Sequence, residues 1–343
     1  MTRPTFDVAV VGATGAVGEA MLAILAERDF PVGKIYPLAS RRSAGKRVAF
    51  KDRQLVVQDL SDFDFSQVQL GLFSAGSSIS EIYAPMAAAK GCVVIDNTSQ
   101  FRYDPDIPLV VPEVNPHAIA AYRNRGIIAN PNCSTIQMVV VLKPLYDAAG
   151  ISRLNIATYP AVSGTGVDAI EELAHQTAQL LNGREVSCEV YPKQIAFNVL
   201  PHIDAFQDNG YTKEEMKMVW ETRKILEDET LQINPTAVRV PVFYGHSEAV
   251  HLETKTKLDL PSVRALLEEA PGVVVLDERQ PGGYPTAVTE AAKADPVYVG
   301  RIREDISHPL GLNLWIVADN VRKGAALNSV QIAEILIRDY LST

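Results

Sequence analysis

Val8-Ala9-Val10-Val11-Gly12-Ala13-Thr14-Gly15-Ala16-Val17-Gly18 decides how the chain begins. The apolar, β-branched run reads as a buried strand. After the glycines, Val17, Met21, Leu22 and Leu25 recur at helical spacing. A glycine turn between a strand and a helix is a cradle for phosphate. It permits a tight bend, close backbone approach to a pyrophosphate and close packing of helix on strand, with the helix N-terminus facing negative charge. The spacing is G-x-x-G-x-x-G rather than G-x-G-x-x-G, so the strand and helix around it carry the reading. Gly12, Ala13, Thr14, Gly15, Ala16 and Val17 are the candidate dinucleotide-binding residues.

The second strand, residues 34–39, runs into Ser40-Arg41-Arg42-Ser43-Ala44-Gly45-Lys46. An acidic residue at its end would favour NAD. Hydroxyls and guanidiniums there suit a 2′-phosphate, which points to NADP through Ser40, Arg42 and Ser43. The alternative is a solvated basic loop. Further strand-loop-helix alternation follows at residues 68–73 into Ser74-Ala75-Gly76-Ser77, and at residues 92–95 into Asp96-Asn97-Thr98-Ser99. Such alternation predicts a doubly wound parallel sheet of the Rossmann type, with ligands at the carboxyl ends of its strands.

A later apolar run, residues 126–129, enters Asn130-Pro131-Asn132-Cys133-Ser134-Thr135, and residues 136–142 leave it as a mostly apolar segment. Pro131 favours a sharp turn and places Cys133 at or just before the first turn of a helix. Unpaired N–H groups and the helix dipole favour thiolate there, so Cys133 is a candidate nucleophile. The other reading is a small buried hydrophobe.

Beyond residue 145 the pattern changes to longer strands at 154–159, 238–244, 249–257 and 312–318, around a helix at 167–181. This predicts a second, α+β domain with a mixed sheet. Residues 1–132 form the first domain and 133–324 the second, with an amphipathic helix in about 325–343 returning to the first. The chain has 343 residues, 47% of them hydrophobic, enough for two cores. A net charge of -9 and the lack of any basic block argue against a nucleic-acid partner. The N-terminus has no apolar core of a signal peptide, which predicts a cytoplasmic protein. Cys92, Cys133 and Cys188 are too few and too far apart for a disulfide framework, and no metal-ligand spacing accompanies them.

Gly12 to Gly18, Ser40 to Lys46, Asp96-Asn97-Thr98-Ser99-Gln100-Phe101-Arg102, Asn130 to Thr135, Gly245-His246-Ser247-Glu248 and Asp319-Asn320-Val321-Arg322-Lys323-Gly324-Ala325 together resemble the aspartate-β-semialdehyde dehydrogenases. The likeness is to the bacterial branch with an N-P-N-C-S-T cysteine motif. It implies a homodimer that reduces L-aspartyl-4-phosphate to L-aspartate-4-semialdehyde with NADPH, on the route to lysine, threonine and methionine. By that resemblance Cys133 forms a thioester and His246 is the acid/base. Arg102 and Lys217 meet phosphate, Arg239 grips the α-carboxylate, Glu214 meets the α-amine, and Asn132 lies among the substrate residues. Ser74, Ala75, Gly76, Ser163, Gly164 and Asn320 join the cofactor residues. The chemistry suits these types: a thiolate gives a thioester reactive enough to accept hydride, and arginine binds carboxylate bidentately. Each also has a plainer reading. Arg102 and Lys217 are possible as solvated charges, Glu214 as an i,i+3 partner of Lys217, and His246 as a structural histidine.

One position departs from the family pattern T-Y-Q-A/S-V-S-G: here Thr158-Tyr159-Pro160-Ala161-Val162-Ser163-Gly164 carries proline for the glutamine expected beside the cysteine. Proline supplies neither a side-chain amide nor an N–H. Two expectations compete: a reductase of another acyl phosphate, such as N-acetylglutamyl phosphate, by the same cysteine chemistry, and, on the strength of Pro160, a catalytically impaired dimeric paralogue.

Overall fold

The computed structural model describes residues 4–341. Residues 1–3 of the N-terminal segment read above, and 342 and 343 of the closing segment, lie outside that range. The chain packs as two units, Met1–Pro131 with Ala325–Thr343, and Asn132–Gly324. No helix among the described residues is long and apolar enough to cross a membrane.

In the first unit the glycine turn joins β1 (Phe6–Val11) to α1 (Ala16–Glu27), which leads to β2 (Val32–Ala39). A short hairpin that sequence reading did not anticipate follows, β3 (Arg47–Phe50) and β4 (Arg53–Val56), and then β5 (Gln58–Asp59). β6 (Leu70–Phe73), α2 (Ser77–Ala89), β7 (Val93–Asp96) and β8 (Ile127–Ala129) complete the winding. The sheet order is β5-β2-β1-β6-β7-β8, parallel throughout. The chain first moves from β1 to β2 and then crosses to β6 on β1's other side. The carboxyl ends of β1 and β6 are therefore the switch point, where open α/β sheets bind ligands.

The second unit begins with α3 (Cys133–Ala149) and continues through β9 (Ile151–Tyr159), α4 (Val167–Leu181), α5 (Lys213–Leu226) and β10 (Gln232–Ala237). β11 (His246–Thr254), α6 (Leu260–Glu269), β12 (Val273–Val275), β13 (Val297–Glu304) and β14 (Gly311–Ala318) follow. The mixed sheet runs β10-β9-β11-β14-β13-β12. Its long strands alternate buried and half-buried residues, and α3 packs against β9, β11, β13 and β14.

Two expectations are corrected. Residues 238–244 are not a strand: Val238 and Val240 N–H still donate to Thr158 and Pro160 carbonyls, but Arg239 pairs instead with Leu200, and Pro241 has no donor to continue a ladder. The edge strand is β10, whose Pro235 is tolerated because an edge leaves one side unpaired. The final helix, α7 (Leu327–Leu336), is not simply amphipathic, because Asn328 and Ser329 are as buried as Val330 and Ile332. Asn328 Nδ2 donates to the carbonyl of Val110 and to Asn130 Oδ1, and Ser329 Oγ donates to the carbonyl of Ala325. Leu327, Val330, Ala333 and Leu336 join Met21, Leu22 and Leu25 of α1 in one core.

Candidate active site

Asn132 caps α3: its Oδ1 accepts from Ser134 N–H at 3.0 Å and Thr135 N–H at 3.3 Å. Cys133 is consequently the first helical residue, half-buried, with the positive end of the helix at its back. Gly324 makes this placement possible, since a Cβ there would lie 2.8 Å from Cys133 Cβ. Opposite stands His246, the first residue of β11, 1% exposed, with Nε2 3.1 Å from Cys133 Sγ. The backbone N–H of Ala161 donates to His246 Nδ1 at 3.1 Å. That bond assigns the ring proton to Nε2 and aims it at sulfur. Burial and the nearby Arg239 guanidinium pull the His246 pKa down from 6.5 to about 3, so the ring is neutral.

Arg239, 6% exposed, donates through one terminal nitrogen to the carbonyl of Ala161 at 2.7 Å, while its Nε has no hydrogen-bond partner. A buried guanidinium with a spare donor is prepared for an arriving carboxylate. Gly164 lies beside it: a Cβ there would sit 3.2 Å from an Arg239 terminal nitrogen and 3.4 Å from His246 Nε2. Glu214 accepts from Asn132 Nδ2 and from Lys217 Nζ, both at 2.9 Å, and Lys217 also reaches Asp204 at 2.9 Å. Burial opposes charge on Glu214, but Lys217, Asn132 and Arg239 hold its carboxyl below the usual range. Burial likewise works against the Lys217 cation, and Glu214 and Asp204 outweigh it. The i,i+3 pairing of Glu214 with Lys217 is thus present within a wider polar cluster. Asn320 accepts from Gly245 N–H at 2.9 Å and donates to Ser163 Oγ at 3.0 Å, fixing the entry to β11.

In the first unit, Gly12 has φ +88°, and a Cβ there would approach Ser74 O to 2.6 Å, so the glycine turn and the loop Ser74-Ala75-Gly76 meet at the switch point. Gly15 and Gly76 cap α1 and α2 without any side chain, which leaves the first N–H groups of both helices open to an anion. Gly12 and Ala13 N–H groups donate to the carbonyl of Leu38, which brings the end of β2 alongside. There Ser40 and Arg42 are exposed and Ser43 is buried. Arg102 is buried and donates to the carbonyls of Asn97 and Thr98, in the loop after β7. The structure therefore brings Cys133, His246, Arg239, Glu214, Lys217, Asn132, Ser163, Gly164 and Asn320 into one unit, and places Arg102 with the glycine turn in the other.

Sequence reading missed two supports. Glu221 on α5 accepts from the backbone N–H of Asn132 at 2.6 Å, and Asn97 accepts from Asn130 Nδ2 at 2.6 Å, pinning the two ends of the N-P-N turn. Nothing in a sequence links positions so far apart, although an acidic residue on the apolar face of a helix, as Glu221 is, carries a trace.

Residues 7–122 match the family described as semialdehyde dehydrogenase, NAD binding domain, and residues 142–323 the semialdehyde dehydrogenase dimerisation domain. The chain is 66% identical to an aspartate-semialdehyde dehydrogenase of Shewanella violacea, over 98% of each. Its structure is similar to that of Vibrio cholerae aspartate semialdehyde dehydrogenase II complexed with ASA, with a TM-score of 0.97 and 59% identity over 98% of this chain and 100% of that one. It is also similar to the Candida albicans enzyme with NADP, with a TM-score of 0.76 and 26% identity over 97% and 98%. With that likeness spanning both units, the chain belongs to the aspartate-semialdehyde dehydrogenase family.

Proposed function

We propose that the protein reduces L-aspartyl-4-phosphate to L-aspartate-4-semialdehyde with NADPH and releases phosphate, through a thioester on Cys133. The observation that carries this reading is the 3.1 Å approach of His246 Nε2 to Cys133 Sγ at the capped start of α3, beside the spare donor of Arg239. Cys133 Sγ attacks the acyl carbon, the S–C bond forms, and the C–O bond to phosphate breaks. The resting His246 tautomer presents its Nε2–H rather than a lone pair to sulfur, so its part begins with a hydrogen bond to the attacking thiolate, without protonating it; after reduction of the thioester the S–C bond breaks and the thiolate returns to that hydrogen bond. Arg239 takes the α-carboxylate. Glu214, held as an anion, takes the α-amine, and Lys217 with Arg102 takes phosphate. An N-acetylated glutamyl substrate would bring no α-amine to Glu214 and leave its carboxylate to Lys217 and Asn132, and the likeness to aspartate-semialdehyde dehydrogenases favours the aspartyl substrate.

The residues also fit a dinucleotide: Gly12 leaves the space a Cβ would fill, and the starts of α1 and α2 are open. Gly12 to Val17 and Ser74 to Gly76 would hold the pyrophosphate, Ser40, Arg42 and Ser43 the 2′-phosphate, and Ser163, Gly164 and Asn320 the nicotinamide end. NADPH would supply the hydride. The NADP in the Candida albicans relative supports this choice. On this reading residues 1–132 with the closing helix bind cofactor, residues 133–324 carry catalysis and pair two subunits, and the enzyme works in the cytoplasm. Following NADP reduction with semialdehyde and phosphate tests the whole assignment, and an inactive pure dimer would refute it.

Arg42→Ala is expected to weaken NADP far more than NAD, by a charge-assisted contact of about 1.5 to 3 kcal/mol. Equal losses in titrations with both cofactors would remove the loop from the site. Pro160 is buried, and its carbonyl accepts from Val240 N–H. Pro160→Gln restores the family amide just past the end of β9, beside the start of β11, and should raise kcat by up to about 100-fold, the scale of one oriented donor. An unchanged kcat would show that another group already orients the acyl carbon.

A further inference from the structure

Glu248 follows His246 by two residues on β11, so both side chains face α3. It is fully buried, and neither carboxyl oxygen has a hydrogen-bond partner. Its register neighbour on β9, Thr158, leaves a buried hydroxyl unpaired. Gln137, one helical turn after Cys133, faces Glu248 and leaves its Oε1 unpaired, while its Nε2 reaches the carbonyl of His246 at 3.4 Å. Burial pushes the Glu248 carboxyl well above its usual range and outweighs the Gln137 side chain, which favours the charged form. Of the two forms of Glu248, only the protonated acid can give Gln137 Oε1 the donor it lacks.

We propose that Glu248 is a positioning residue: as a neutral acid it donates to Gln137, tying the first turns of α3, which carry Cys133, to the strand that carries His246. The proposal rests on the reading of Cys133 and His246 as the reacting pair. Glu248 touches neither substrate nor sulfur, and it acts by holding the separation of that pair.

The test compares Glu248→Gln, which can still donate and accept, with Glu248→Leu, which can do neither. Glu248→Gln should keep kcat close to that of the parent enzyme. Glu248→Leu should lose about 10- to 100-fold in kcat, the scale of a small misplacement, with KM little changed. Equal damage in both, or a fully active Glu248→Leu, would overturn the proposal. An infrared difference spectrum of the parent protein against Glu248→Gln at neutral pH should show the carbonyl stretch of a protonated carboxyl. A carboxylate band in its place would overturn it even if Glu248→Leu does not fold. The infrared result needs no turnover, so an inactive parent enzyme would defeat the thioester reading while leaving this one standing or falling by itself.

Discussion

Cys133→Ser is expected to lower turnover on the order of 10⁴-fold or more while NADPH still binds. The substitution keeps the size of the side chain and the Asn132 cap, so the first turn of α3 is not disturbed. What it removes is the acid–base chemistry: a serine hydroxyl is not ionised by a neutral histidine that already carries its proton on Nε2, and an oxygen ester is a poor hydride acceptor. The glycine turn and the Ser40 loop belong to the other unit and are untouched, so a fluorescence titration with NADPH should match that of the parent. Alkylation gives the complementary readout. Cys92 is buried, with its thiol pushed up to about 12, and should react only on unfolding. Cys188 is exposed and should react at an ordinary rate, and Cys133 faster than either. Substantial turnover in Cys133→Ser would show that no covalent intermediate is formed.

His246→Ala should reduce kcat by roughly 10² to 10⁴, the range for a lost proton-handling group. Because the folded pKa sits near 3 instead of 6.5, the ring is neutral throughout the working range, and the rate of Cys133 alkylation should show no step near 6.5. The same shift has a sign for stability. Between about 6.5 and 3 the unfolded chain takes up a proton that the folded site refuses, so stability contributed by the neutral ring is present above 6.5 and lost as pH falls through that window. His246→Ala should therefore flatten part of the acid limb of a denaturation profile. An alkylation profile with a titration near 6.5 that vanishes in His246→Ala would show that the histidine is cationic instead.

The elements written in local pattern were legible. The glycine turn, α4 at Val167–Leu181 and the Cys133 turn follow from periodicity, glycine and proline, and each is a decision made within a few residues. Arg239 was legible as a residue type but not as a conformation, because its segment leaves the sheet to pair with Leu200, a contact no local signal encodes. β10, with Asn234 and Pro235 in its middle, reads as a loop and becomes a strand only because β9 offers a parallel edge. The start of a helix at Cys133 was legible, but the Asn132 cap and the Glu221 carboxylate that accepts the Asn132 N–H were not. Buried polar groups of that kind are chosen by partners distant in sequence, and their meaning appears only when the chain has closed.

The Asn97–Asn130–Asn328 chain and the α7 side chains in the first core also bear on the order in which the protein is made. The unit begun by the first strand needs the last helix to fill its core, whereas residues 132–324 form one uninterrupted stretch. A ribosome releases the second unit complete before it has synthesised the end of the first. Residues 132–324 can thus close their core during synthesis before the first unit can, against the usual N-terminal-first order of domain folding.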